Sequence, residues 1–92
     1  MHVVVQHQIT DAGKFAALDV AEIAAGPPGT QAHQFFPSTD ATAAICLWET
    51  DSIDTLRGYL DPATAGVMEN RYFEVDGEHA LGLPATAAAA AQ

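Results

Sequence analysis

Basic residues are scarce in this chain. Lys14, Arg57 and Arg71 stand against 12 acidic residues, for a net charge of −9. Nucleic-acid binding draws on several Lys or Arg contacts to phosphate, and three scattered cations do not supply them. Anionic membrane surfaces are excluded as partners on the same ground. The acidic surplus reads as solvated surface. Cysteine is limited to Cys46, which rules out an intramolecular disulfide framework and any Cys-pair zinc site. No apolar run approaches the ~20 residues that span a bilayer. The opening Met1-His2-Val3-Val4-Val5-Gln6-His7 lacks a basic stretch and turns polar at Gln6. It reads as a strand rather than a signal peptide, and a soluble cytoplasmic protein is the expectation.

Large apolar side chains are also few. Apolar residues make up 49% of the 92, but 19 of them are alanine, and only 26 larger ones remain. A chain of this length is expected to form one domain and to bury only a little over ~60% of its unfolded surface. A second copy would extend so small a core, which makes a homodimer attractive.

What is present is a clear order of elements. Val3 through Ile9 is β-branched and reads as strand one. Thr10 or Asp11 caps a helix running to about Ala25, stopped by Gly26-Pro27-Pro28-Gly29. Thr30 to Phe36 reads as strand two, Pro37-Ser38-Thr39-Asp40 as a turn, and Thr42 to Glu49 as strand three, a hairpin. Ser52 caps a second helix whose buried stripe is Ile53, Leu56 and Leu60. Pro62 suits the first turn of a short further helix to about Met68, with Asp61 as its cap. Arg71 to Val75 reads as strand four. The segment 77–84 is expected to pack on the domain or on a partner, and the alanine-rich tail, 85–92, to be disordered. Residues 1–84 then form the single domain.

This strand, helix, strand, strand, helix, strand order is the βαββαβ pattern of a ferredoxin-like α+β sandwich. It implies a four-stranded antiparallel sheet with two helices on one face. Alternation sorts the strand residues onto two faces. The helix-facing set is expected to hold Val3, Val5 and Ile9, then Ile45 and Leu47, then Phe73 and Val75, with Phe36 and Ala32. The bare face is expected to carry Val4 and Gln6, then His33 and Phe35, then Cys46 and Trp48, with Tyr72 and Glu74. Aromatic rings mixed with convergent polar groups suit a small-molecule pocket and equally a wet dimer interface.

On that element order, with Trp48-Glu49 ending strand three and the Ser52-capped helix directly after, the chain resembles the dimeric α+β barrel superfamily. In that superfamily two ferredoxin-like sheets pack bare face to bare face around a cavity. The segment Ile45-Cys46-Leu47-Trp48-Glu49-Thr50-Asp51-Ser52-Ile53 looks like small bacterial members, some described as nickel-binding. The resemblance covers residues 1–84. It implies that Trp48 sits where a strand-three Trp lines the cavity of cofactor-independent quinone-forming monooxygenases, although Ala44 stands where those enzymes carry an Asn. In haem-degrading members a helix-two His ligates iron. Gln6 loosely matches their strand-one Asn, but Ser52–Leu60 holds no histidine, so haem is not implied.

The leading functional expectation is a homodimer that binds a small apolar or aromatic ligand through Gln6, His33, Phe35, Cys46, Trp48 and Tyr72. An enzyme alternative is a cofactor-independent monooxygenase or polyketide cyclase, with His33 as base on the Trp48 platform. His33 and Glu74 are its candidate acid–base pair. A further alternative is nickel or copper binding through His33 and Cys46 with one more histidine. No Cys-x-x-Cys or His-x-x-x-His spacing is present, so no metal ligands are assigned and no cofactor is expected. Cys46 has no cation nearby in sequence to make it a nucleophile. Gly26-Pro27-Pro28-Gly29 lacks the Lys and Ser/Thr of a phosphate loop.

Overall fold

The computed structural model describes residues 1–84. The tail expected to be disordered, 85–92, lies outside the described residues. The elements are β1 (His2–Ile9), α1 (Ala12–Ala16), α2 (Val20–Ala25), β2 (Gln31–Pro37), β3 (Ala43–Glu49), α3 (Ile53–Ala63) and β4 (Met68–Glu74). They make an α+β fold, with one four-stranded antiparallel sheet in the order β2-β3-β1-β4 and three helices. The arrangement is compatible with a ferredoxin-like fold. No helix among the described residues is long and apolar enough to cross a membrane.

Three local expectations need correction. The first helix is two short ones, because Asp19 caps a new start. Its carboxylate accepts the Glu22 N–H at 3.1 Å, just as Asp11 accepts the Lys14 N–H at 3.0 Å. Asp favours this competition with the helical backbone. The helix after Ser52 does not break at Asp61-Pro62. Pro62 forfeits one backbone bond inside the last turn. Thr64 then closes the end, donating its N–H at 3.0 Å and its hydroxyl at 2.8 Å to the Leu60 carbonyl. No separate helix follows, so β4 begins at Met68 rather than Arg71.

The face assignment changes most. Residues directly opposite in a ladder share a face. Val3 pairs with Trp48, Val5 with Cys46 and Tyr72, and Phe35 with Cys46. Leu56 and Leu60 of α3 complete the buried cluster with Val3, Val5, Cys46 and Trp48. Val3 and Val5 therefore face the helices as expected. Phe35, Cys46, Trp48 and Tyr72 join them there instead of lining the bare face. Ile45, Leu47, Phe36 and Phe73, expected under the helices, lie on the open side beside Val4 and Gln6. A one-residue phase shift between strands moves every side chain to the other face. In β3 both parities are apolar, so alternation gives no contrast.

Gly26 explains how α2 approaches the sheet. Its φ is +63°, and a Cβ there would stand 2.5 Å from Thr30 Oγ1 and 3.0 Å from the Trp48 ring. Only glycine lets the chain turn this closely over the indole. Tyr59 of α3 donates its hydroxyl to the Ile23 carbonyl at 2.9 Å, which ties α2 to α3. The segment after β4 folds back so that Ala80 and Leu83 border a groove of about 210 Å³ with Val4 and Ile45 on the open face.

Candidate functional site

Between the helices and the sheet lies a cavity of about 200 Å³. Phe15, Val20 and Ile23 of the helices, with Leu18 between α1 and α2, form one wall, and Phe35, Cys46 and Trp48 the sheet wall. Short α1 and α2 cover the sheet incompletely, because alanine fills many of their positions and neither holds a buried residue. That thin cover leaves the cavity partly open, with Ala32, His33, Gln34 and Phe35 of β2 along its lining.

One polar chain crosses its floor. His7 Nδ1 is 2.6 Å from Asn70 Oδ1, and His7 Nε2 is 3.1 Å from Cys46 Sγ. Asn70 Nδ2 donates to Thr64 Oγ1 at 2.9 Å and to Asp61 Oδ1 at 3.1 Å, so its oxygen is left to accept. Nδ1 of His7 therefore carries the proton and Nε2 is bare. The Cys46 thiol donates to that bare nitrogen, and Trp48 Nε1–H donates to the sulfur at 3.1 Å. Burial holds the His7 pKa below its ordinary value, against the opposing Asn70 bond. Burial likewise pushes the Cys46 thiol up to about 11, although the Trp48 bond pulls the other way. Desolvation penalises charge on both partners, so the pair is neutral: a thiol beside an unprotonated imidazole.

The expected site residues divide. Phe35, Cys46 and Trp48 come together in the cavity. Tyr72 shares their face but turns away, donating its hydroxyl to Asp61 at 2.6 Å beneath the Arg57 guanidinium. Burial and Asp61 raise its pKa. Gln6 is on the open face, opposite Ile45 and Arg71. His33 sits at the rim, where a register shift between Ala32 and Gln34 uncouples it from Phe35.

His33 does not meet Glu74. Strands β3 and β1 separate β2 from β4, so the two backbones are roughly 14 Å apart at ~4.8 Å per strand. The carboxylate beside His33 is that of Glu49, at 3.1 Å, with His2 close by. His33 and Cys46 are thus engaged with different partners, and the metal trio expected from them is not assembled.

The residues missed from sequence are His7, Asn70, Glu49 and His2. The signal for His7 was its place two residues beyond Val5 on the same face. Asn70 carried no sequence signal, because it meets His7 only through the β1–β4 register. Comparison with protein-family models, with curated proteins and with solved structures finds no match.

Proposed function

We propose that this protein binds a small, largely apolar ligand in the cavity between its sheet and helices. The observation that carries the reading is a mainly apolar cavity with a polar floor of Cys46 and His7, the latter held by Asn70, and with His33 and Gln34 at its edge. Apolar pockets with a few convergent polar groups are the usual form of small-molecule sites. Its volume of about 200 Å³ exceeds the ~150 Å³ of an engineered apolar cavity that takes up benzene. One or two fused rings fit, with a hydroxyl or carbonyl turned toward Cys46 and His7.

Trp48 is the only tryptophan of the chain, so its fluorescence reports on the cavity. Titration with 1-naphthol or indole should quench or shift that emission saturably. Ala32→Leu fills the cavity and should weaken binding at least about tenfold, the loss of roughly 1.4 kcal/mol. A wild-type signal that stays flat with both probes overturns the proposal.

An enzyme is the second reading proposed, with a different base from the one expected. His7, pinned by Asn70 and unprotonated at Nε2, is the base in reach of Trp48 in place of His33, once Cys46 gives up its hydrogen bond to that nitrogen. Turnover of a quinol or polyketone without added flavin, lost in His7→Gln, is the result this reading requires.

The finer architecture, a homodimeric α+β barrel joined through open sheet faces, is likewise a proposal. It is supported by Phe36, Ile45 and Phe73, which are 59%, 39% and 47% exposed on that face. Exposed apolar patches of this kind mark association surfaces. Light scattering should give twice the chain mass, and Phe73→Ser should shift it toward one. A wild-type monomer at every concentration rejects the dimer.

A further inference from the structure

At one end of the open sheet face, three strands converge two imidazoles and a carboxylate. His2 opens β1 and Glu49 closes β3, and the two are cross-strand partners. The irregularity in β2 brings His33 to the same carboxylate. His33 Nε2 lies 3.1 Å from Glu49 Oε1, and His2 Nε2 lies 3.8 Å from it. All three ligand atoms fall within 4.8 Å of one another. The His2 and His33 side chains are only 11% and 10% exposed, and that of Glu49 is 25% exposed.

One atom in this group is unaccounted for. His2 Nε2 is shut off from solvent and has no hydrogen-bond partner. A buried polar nitrogen left unpaired is unfavourable, and native folds rarely keep one without a reason. The nitrogen points into a cluster whose other two members are also metal-ligand types. Donor atoms about 2.0–2.2 Å from a tetrahedral metal stand roughly 3.3–3.6 Å from each other. The observed separations of 3.1 and 3.8 Å bracket that range.

We infer that His2, His33 and Glu49 form a binding site for a divalent first-row transition cation of the zinc type. Two imidazoles and one carboxylate suit such a borderline cation. Calcium and magnesium favour all-oxygen sets, and copper(I) favours sulfur. Among the described residues no fourth His, Cys, Asp or Glu joins the group. Three protein ligands with a coordination position left over is the donor count of open zinc sites rather than closed structural ones. The cation would satisfy His2 Nε2 and replace the His33–Glu49 contact with two metal bonds. A net charge of −9 favours cation capture over the whole surface. His2 and Glu49 share the open face, away from the cavity under the helices, while His33 stands between the two and also borders the cavity rim.

The test is calorimetric titration of chelator-stripped full-length protein with zinc chloride. The expected result is one zinc per chain. His33→Ala and Glu49→Gln should each weaken binding at least about tenfold, the lower end of what even supporting residues of metal sites contribute. Glu49→Gln keeps the side-chain shape, and circular dichroism checks that each variant is folded. His79→Ala should bind as wild type does. It removes the histidine of the exposed Asp76, Glu78 and His79 cluster. Cobalt(II) offers a second readout through its visible absorption, which should vanish in His33→Ala. Zinc binding unchanged in Glu49→Gln and His33→Ala overturns the assignment, because a chelate of the Met1 amine with His2 would behave that way. Loss of zinc in His79→Ala, or no binding by the wild type at about 1 mM, overturns it as well.

Discussion

His7 makes the stability of the fold depend on pH in a definite direction. Its imidazole is 7% exposed, wedged between Asn70 and Cys46. Burial holds its folded pKa below the ordinary value of 6.5. Above pH 6.5 both folded and unfolded chains carry a neutral ring, and His7 contributes no pH dependence. Below it the unfolded chain takes up a proton that the folded chain refuses. Stability therefore falls as pH drops, by up to about 1.4 kcal/mol per pH unit, until the folded pKa is reached. A small domain with roughly 5 kcal/mol of total stability would show this plainly. With a urea slope of ~1–2 kcal/mol per molar, one pH unit moves the unfolding midpoint by about 1 M. His7→Gln keeps a donor and an acceptor but does not titrate, so the difference between wild type and variant isolates this group from the carboxylates. The assay is urea unfolding followed by Trp48 fluorescence from pH 8 to 5.5. Parallel curves for the two proteins would refute a buried neutral His7, and with it the proton assignment across the cavity floor.

Other positions give independent checks. Gly26→Ala places a Cβ 2.5 Å from Thr30 Oγ1 at a φ of +63°, and should destabilise by about 1–3 kcal/mol in chemical denaturation. An unchanged midpoint would show that α2 does not seat on Trp48 this closely. Ala41 takes a φ of 60° in the β2–β3 turn, so Ala41→Gly should stabilise by roughly 1 kcal/mol; a lower melting temperature would contradict the left-handed backbone there. Cys46 is 6% exposed, with its thiol pushed up to about 11. Iodoacetamide at pH 8 should leave the native protein unmodified and label it rapidly in urea. Fast native labelling would mean an accessible thiolate.

The local signals in the chain proved sound where one residue type governs the outcome. Asp11 and Ser52 cap the helices expected after them. The turn between β2 and β3 forms where Ser38 and Asp40 bond the backbone of Thr42. Glycine and proline stop α2 at Gly26. Where two local preferences competed, the outcome was not legible. Asp19 restarted a helix that the apolar pattern drew as continuous, and Thr64 let α3 carry Pro62 within it.

By itself the sequence determined the α+β class, the four strands and the residue types from which a site is built. It could do so because caps, turns and β-branched runs act within a few residues. The tertiary structure alone decided which faces those residues share. Strand phase depends on the β2 irregularity and on β1 pairing with strands 35 to 71 positions away, and in β3 the apolar residues occur at both parities. That register set Cys46 against His7 and Asn70 instead of His33. It also set His33 beside His2 and Glu49, residues that nothing in their local sequence connects.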